Sequence, residues 1–160
     1  AAFRASCHAR MRALVAAEGV ALRPGAVAWL DLVGGLGIPL AVATSSGPAL
    51  VAERLGALVA RFAAVVTRAD VARGKPHPDL YLAAAARLGV PPADALAVED
   101  SPTGARSALA AGMPVVVVPD LVATPPDVAA RLVGTFDSLD ALRDAVARAW
   151  AAAPTPDHTR

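Results

Sequence analysis

Short apolar runs alternate with amphipathic segments along most of the chain. The runs IPLAVAT, AAVVT, ALAV and VVVV occupy residues 38–44, 63–67, 95–98 and 115–118, and LVGTF follows at 132–136 as a candidate edge strand. A short apolar run bounded by turn residues is typical of a strand that is buried on both faces of a parallel sheet. The segments between the runs carry apolar residues at helical spacing. The pattern therefore predicts an α/β fold in which helices cover both faces of a parallel sheet.

Glycine and serine mark the ends of the predicted helices. Amphipathic segments stop at Gly37, Gly89 and Gly112, and serine followed closely by proline opens others. Serine is expected to cap the helix that begins near Pro48, because its hydroxyl can accept a bond from a free amide of the first turn. The predicted helices span about residues 26–36, 48–59, 80–88 and 102–111, with a short one after Thr124 and a last one after Ser138 that presents Leu139, Leu142, Val146 and Trp150 on one face.

One more helix is predicted before the alternating pattern begins. Phe3, Cys7 and Met11 fall on one face of a segment that runs to about residue 15. The connection Arg23-Pro24-Gly25 separates this segment from the rest of the chain. The chain opens at Ala1, already inside this helical pattern.

Composition narrows the classes of protein that fit this pattern. The 160 residues suit one ordinary domain, and the 56% hydrophobic content is inflated by 41 alanines. No apolar run approaches the ~18 residues of a membrane-spanning helix. The net charge is +1 without a basic block, which predicts no nucleic-acid partner and no membrane partner.

Cys7 is the only cysteine, so an internal disulfide and a cysteine-based zinc cluster are excluded. The first residues lack the apolar core of a secretory signal, and a cytoplasmic location is expected.

Polar residues follow three of the predicted strands at the point where each strand ends. In a parallel sheet the carboxyl ends of the strands meet at one edge, which is where ligands bind. Each polar group also has an ordinary explanation, as a helix cap, a solvated lysine or acidic residues at a helix start. The candidates are Thr44, Ser45 and Ser46 after the first strand, Lys75 in the loop after the second, and Glu99 and Asp100 at the end of the third.

Taken together, these groups predict phosphate and magnesium chemistry. Adjacent carboxylates at the mouth of a buried strand repel each other, and a hard cation such as Mg²⁺ would relieve that repulsion. A hydroxyl and the amides of a helix start would receive phosphate oxygens. Lys75, the only lysine among 15 basic residues, would neutralise the charge of a phosphoryl group.

Three segments of the chain resemble a known family in order and spacing. LAVATSS, GKPHPDLYLAAAARLG and ALAVEDSPTGARSALAAGM are similar to three of the four signatures of haloacid dehalogenase-like phosphatases. The resemblance is strongest to the beta-phosphoglucomutase and phosphoglycolate phosphatase branch, which carries a helical cap. It implies a Rossmann-like core at 21–151 and the end of the cap domain at 1–20. The tail at 152–160 is predicted to be disordered from its own sequence.

The resemblance also implies roles for the candidate residues. Thr44 and Ser45 would bind the phosphate, Lys75 would hold the phosphoryl group, and Asp100 with Glu99 would bind Mg²⁺. The implied reaction is hydrolysis or transfer of phosphate from a small phosphorylated metabolite through an aspartyl-phosphate.

The fourth signature, an Asp-x-Asp-Gly-Thr motif that supplies the nucleophile, does not occur among the 11 aspartates. In the family that motif ends a central strand, between the strands that would end here at Thr44 and Glu99. The expectation is an N-terminally truncated member, inactive alone and prone to self-association through an exposed sheet edge. The alternative is a non-catalytic remnant that binds phosphate or Mg²⁺. A response-regulator receiver domain fits poorly, because its acidic pair comes first along the chain, whereas the order here is Thr44, Lys75, Asp100.

Overall fold

Helices and strands alternate along the chain as the apolar pattern predicts. The computed structural model describes residues 21–153 and isolated positions before them (3, 6, 7, 9, 10 and 13). The predicted first helix and the tail therefore lie largely outside the described residues. In chain order the elements are α1 (Ala26–Gly35), β1 (Ala41–Ala43), α2 (Pro48–Leu55), β2 (Ala64–Val66), α3 (Asp79–Leu88), β3 (Ala97–Glu99), α4 (Pro102–Ala110), β4 (Val115–Val117), α5 (Pro126–Ala129), β5 (Gly134–Thr135) and α6 (Leu139–Ala152).

All the strand pairs of the described residues are parallel, which confirms the predicted α/β class. The strands form two sheets, β1–β2 and β3–β4–β5. Val42 lies opposite Val65 in the first sheet, and Val98 lies opposite Val116 in the second. β5 pairs with β4 at the edge, as predicted for LVGTF. β1 pairs only with β2, and β3 pairs only with β4. Because these two strands are not hydrogen-bonded to each other, the described strands form two separate sheets.

The second sheet contains the best-buried strand. All three residues of β4 are buried, because α4 covers one face and α6 packs on the other. Ala105 and Ala108 of α4 are fully buried beside Val115 and Val117. Since alanine allows a helix to approach a sheet closely, part of the alanine content belongs to this core. The opposite face of the strand packs through Val116 against α6.

Helix α3 packs against both sheets. Leu80 and Ala84 belong to a cluster with Val66 of β2, and both are buried. Tyr81, one position further along the same turn, belongs to the cluster around β4. One helix therefore connects the two sheets through its apolar faces.

Several boundaries differ from the predictions. Ser101 and Ser138 cap their helices as expected, but the N-cap of α2 is Gly47 and no serine side chain caps it. That helix ends at Leu55 rather than near Val59, because Gly56 has a positive φ and the chain continues as a 3₁₀ helix. Trp150 is 52% exposed, so the buried face of α6 does not extend to it as predicted.

The described helices are all too short or too polar to cross a bilayer. A cytoplasmic location stays a prediction.

Candidate functional site

The predicted site residues come together at the carboxyl ends of β1 and β3. They line one cavity of about 420 Å³, which we call the site cavity. That volume lies in the range of small-molecule pockets. The residues that line it include five of the six candidates from the sequence, namely Thr44, Ser45, Lys75, Glu99 and Asp100. The sixth, Ser46, is not part of the lining.

The turn after β1 is fixed by backbone and side-chain hydrogen bonds. The amide of Thr44 donates to the carbonyl of Val66 at 2.9 Å, which continues the pairing with β2. The amide of Ser46 donates to Oγ1 of Thr44 at 3.1 Å. The Thr44 hydroxyl therefore accepts a bond within the turn and keeps its own proton for another acceptor. Ser45 is exposed at the cavity.

Lys75, Tyr81 and Glu99 form a buried polar cluster. The ammonium of Lys75 and the phenol of Tyr81 both donate to Oε1 of Glu99. The side chains of Lys75 and Glu99 are only 14% and 5% exposed. The Lys75 nitrogen also lies 3.3 Å from the Tyr81 oxygen and 5.0 Å from the centre of its ring. The lysine is thus held by one carboxylate and by the face of one aromatic ring.

The surroundings of this cluster shift its proton affinities. Burial alone would raise the pKa of Glu99, but the charge of Lys75 and the hydrogen bonds from Lys75 and Tyr81 leave it below its usual value. Burial, reinforced by the Glu99 carboxylate, raises the pKa of Tyr81. Glu99 is therefore ionised at neutral pH and Tyr81 is a neutral hydrogen-bond donor.

The second oxygen of Glu99 is fixed by the start of α4. Its Oε2 accepts bonds from the amide of Asp100 at 3.2 Å and from the hydroxyl of Ser101 at 3.3 Å. Ser101 in turn accepts from the amide of Gly104 at 3.1 Å. A Cβ at Gly104 would lie 2.0 Å from Oε2 of Glu99, so the carboxylate occupies the space that a side chain would need.

The loop that carries Lys75 is anchored at both ends. Arg73 pairs with Asp79 at the start of α3, at 2.8 Å. The buried Ser107 of α4 donates to the carbonyl of His77 at 2.5 Å. His77 itself is exposed, as expected for a solvated loop residue.

Asp100 is the acidic residue whose side chain is exposed at the cavity. Partial burial of its carboxyl group and the neighbouring Glu99 raise the pKa of Asp100. No group of three or more His, Cys, Asp or Glu side chains in the described part of the chain could hold a metal ion. Mg²⁺, however, is commonly bound through one or two carboxylates, with water and substrate phosphate completing the shell. Asp100, with Glu99 beside it, fits such a partial site.

Sequence reasoning missed two residues of the cavity region, Tyr81 and Arg23. Tyr81 is the only tyrosine of the chain, and the helix around it consists mostly of leucine and alanine. A single polar aromatic residue in such a helix could have indicated a hydrogen-bonding role. Arg23 lines the cavity and donates to the carbonyls of Val118 and Pro119. These partners are 95 and 96 residues away, and no local pattern could have indicated them.

A second cavity, which we call the inter-sheet groove, lies between β1 and β3 and has a volume of about 490 Å³. Its walls are mostly apolar and include Trp29 and Val33 of α1 and Tyr81 and Ala84 of α3. The groove also touches Glu99, so it adjoins the site cavity.

The sequence around these site residues matches a known protein family. The family model of haloacid dehalogenase-like hydrolases matches residues 2–112, which include Thr44, Lys75, Glu99 and Asp100. The chain belongs to the haloacid dehalogenase-like hydrolase family. The resemblance of its three motifs to that family is thereby confirmed.

Relatives within this haloacid dehalogenase-like family identify the branch. Hexitol phosphatase A of Escherichia coli is 43% identical over 102 residues, which are 63% of this chain and 47% of that protein. Beta-phosphoglucomutase of Bacillus subtilis is 42% identical over 76 residues, 48% of this chain and 34% of that protein. The chain is of the beta-phosphoglucomutase-like branch, and it spans about half the length, or less, of the curated relatives it matches.

The fold agrees with a solved structure of the same family. CbbY from Rhodobacter sphaeroides in complex with phosphate superposes with a TM-score of 0.72 at 35% identity. The match covers 81% of this chain and 60% of that one.

Proposed function

We propose that this chain is the phosphate- and magnesium-binding part of a phosphatase or phosphomutase that acts on a small phosphorylated metabolite. The observation that carries the proposal is the convergence of Thr44, Ser45, Lys75 and Asp100 on one cavity. A hydroxyl, a cation and a carboxylate at the ends of parallel strands are the groups that phosphoryl transfer needs. Relatives named for a hexitol phosphatase and a phosphoglucomutase support the same substrate class.

In this proposal each residue has a distinct task. The Thr44 hydroxyl donates to a phosphate oxygen, and Ser45 offers a second polar contact at the exposed edge of the cavity. Lys75 stabilises the negative charge of the phosphoryl group as a compact cation. Its pairing with Glu99 and Tyr81 restricts its position, which reduces the reorganisation needed when phosphate binds.

Asp100, with Glu99 beside it, would hold Mg²⁺. When bound, the ion would offset the charge of the phosphate and of the carboxylate pair. Burial and the neighbouring Glu99 raise the pKa of Asp100, and a bound cation would lower it again by stabilising the ionised form.

We further propose that the core at 21–151 is incomplete and that one more parallel strand fits the inter-sheet groove. The unpaired edges of β1 and β3 face this groove, and both strands end at the site cavity. A strand placed there would pair on both sides and bring a nucleophilic aspartate beside Lys75 and Asp100.

A second candidate function is a module that binds phosphate or Mg²⁺ without catalysis. The absence of any Asp-x-Asp pair from the sequence favours it. A second copy of the chain could also occupy the open edges, which would appear as self-association.

Phosphate binding tests the site itself. Calorimetric titration of the chain with inorganic phosphate, in the presence of Mg²⁺, should show binding that weakens about tenfold in Thr44→Val, because a bond to a charged group is lost. Thr135→Val, at an exposed threonine of β5, is the matched control and should leave the affinity unchanged. Equal affinities in the two variants would contradict the assignment of Thr44.

Hydrolysis tests the missing strand. We expect no Mg²⁺-dependent hydrolysis of p-nitrophenyl phosphate by the chain alone, and measurable hydrolysis after a peptide containing a strand and Asp-x-Asp-Gly-Thr is added. Hydrolysis by the chain alone would refute the need for an external nucleophile. Phosphate binding without peptide-dependent hydrolysis would support the binding module. Analytical ultracentrifugation distinguishes self-association from binding of the peptide.

A further inference from the structure

Arg23 reaches the site cavity from a different direction than Lys75. It lies in the connection before α1, and its guanidinium donates to the carbonyls of Val118 and Pro119, each at 3.0 Å. These carbonyls follow β4, whose carboxyl end is part of the cavity wall. Lys75 comes from the loop after β2 on the other sheet. The cavity therefore has two cationic side chains that are held by separate parts of the fold.

The bonds that position Arg23 leave much of its binding capacity unused. A guanidinium has five N–H donors, and the two carbonyls use one on each terminal nitrogen. Three donors remain. Among the described residues no carboxylate forms an ion pair with Arg23, whereas Lys75 is paired with Glu99. Within the described part of the chain, the positive charge of Arg23 is thus the less compensated of the two.

These observations point to an oxyanion as the ligand of Arg23. Guanidinium groups bind carboxylate and phosphate oxygens through paired N–H donors. The cavity is large enough for a small metabolite. If Thr44, Ser45 and Lys75 hold the phosphoryl group, Arg23 faces another part of the same molecule.

We propose that Arg23 is a specificity-determining residue that binds a second anionic group of the substrate, a carboxylate or a second phosphate. The inference rests on the proposed function, since it assumes that a phosphoryl group occupies the cavity beside Lys75. It narrows the substrate class to phosphorylated metabolites with two anionic groups.

Calorimetry with three compounds of similar carbon skeleton tests the proposal. Glycerol 3-phosphate has one anionic group, 3-phosphoglycerate adds a carboxylate, and glycerol 1,3-bisphosphate adds a phosphate. We expect at least one of the last two to bind the chain about tenfold more tightly than glycerol 3-phosphate, because hydrogen bonds to charged groups are the strong ones. The compound with the larger advantage identifies the second group.

Variants assign that advantage to Arg23. Arg23→Gln should abolish the advantage, measured within the variant as the ratio of its affinities for the doubly anionic compound and for glycerol 3-phosphate, and Arg23→Lys should retain part of it through its charge. Arg68→Gln is the matched control, because Arg68 also donates to two backbone carbonyls, those of Val71 and Ala72, but lies outside the cavity lining. In Arg68→Gln the ratio of the affinities should not change.

The possible results separate the two proposals. Binding of glycerol 3-phosphate without any advantage for the other two compounds would overturn the role of Arg23 and leave the proposed function standing. An advantage that survives in Arg23→Gln would also overturn it. Failure of all three compounds to bind would overturn both. If Arg23→Gln does not fold, an unchanged ratio of affinities in Arg23→Lys would overturn the role of Arg23, and a reduced ratio would support it.

Discussion

The strands β4 and β1 are both short and apolar, but they lie in very different surroundings. β4 pairs with a strand on each side, and all three of its residues are buried. β1 pairs only with β2, and its three residues are half-buried. The difference arises at the inter-sheet groove, which β1 borders and β4 does not. An apolar run therefore specifies a strand, while its burial depends on which neighbours are present.

The candidate site draws on both sheets. Thr44 and Ser45 follow β1, whereas Glu99 and Asp100 lie at the end of β3. Lys75 belongs to the loop after β2 and reaches Glu99, so this ion pair joins the two sheets on the polar side. Helix α3 joins them on the apolar side. Removing either connection should disturb the geometry of the candidate site more than a substitution within one sheet does.

The largest effect is expected from Lys75→Met. It leaves the buried Glu99 carboxylate without its cation, a change that typically costs about 3 to 5 kcal/mol of the free energy of unfolding. Urea denaturation measures the loss. The double variant Lys75→Met, Glu99→Gln should recover part of it, because the unpaired charge is gone.

Arg73→Met is the matched control for this change. It removes a pair with Asp79 from the same loop, but the Arg73 side chain is 59% exposed, and such pairs contribute little. Equal losses in Lys75→Met and Arg73→Met would show that the Lys75–Glu99 pair does not hold the sheets together.

The next largest effect is a difference in unfolding free energy between substitutions in β4 and in β1. Val117→Ala in β4 should lower the free energy of unfolding by about 2 to 3 kcal/mol, since it removes two methyl groups and leaves a cavity in a fully buried position. Val42→Ala in β1 should cost about 1 kcal/mol, because its site is partly open to solvent. If both variants lose the same amount in urea denaturation, β1 is as well buried in solution as β4.

Much of the fold could be predicted, because the information is local. The runs at 63–67 and 115–118 became strands, and Gly89 ended α3 with a left-handed conformation. The site residues could be placed because parallel strands bring their carboxyl ends together. The strands came out shorter than the apolar runs, since only residues that face a partner strand pair with it.

What could not be predicted depends on contacts between distant segments. The position of Arg23 is set by carbonyls 95 and 96 residues away. Tyr81 became part of the Lys75–Glu99 cluster only because α3 packs against both sheets. The exposure of Trp150 depends on how far the core extends along α6, which the helical pattern alone does not show.

A smaller effect is expected where Glu99 contacts α4. Gly104→Ala places a Cβ where the Glu99 carboxylate lies, and such overpacking typically costs about 1 to 3 kcal/mol. Displacement of Glu99 should also weaken phosphate binding through Lys75. Gly34→Ala in α1 is the control, because a Cβ there would meet no atom within 4 Å beyond its chain neighbours and the nearby backbone of its own helix, and alanine favours the helix by about 1 kcal/mol. Thermal unfolding should therefore show opposite shifts, and a stabilised Gly104→Ala would contradict the packing of Glu99.

The smallest effect concerns a polar network that belongs to the first sheet alone. After β2, the Asp70 carboxylate accepts from the hydroxyl and amide of Thr67 and pairs with Arg87 of α3 at 2.6 Å. The hydrogen bond from the Thr67 hydroxyl and the pairing with Arg87 hold the pKa of Asp70 below its usual value. A lowered pKa stabilises the folded chain at all pH values above the unfolded pKa, about 3.9, and this contribution is lost as the pH falls from there through the folded pKa.

Asp70→Asn should thus lower the midpoint of urea denaturation slightly, by the same amount from pH 7 to about pH 4. Below that the difference from the wild type should shrink. Asp137→Asn, at an exposed aspartate of the described part, should show neither effect. A difference that grows on acidification would mean that the Asp70 carboxylate does not stabilise the first sheet.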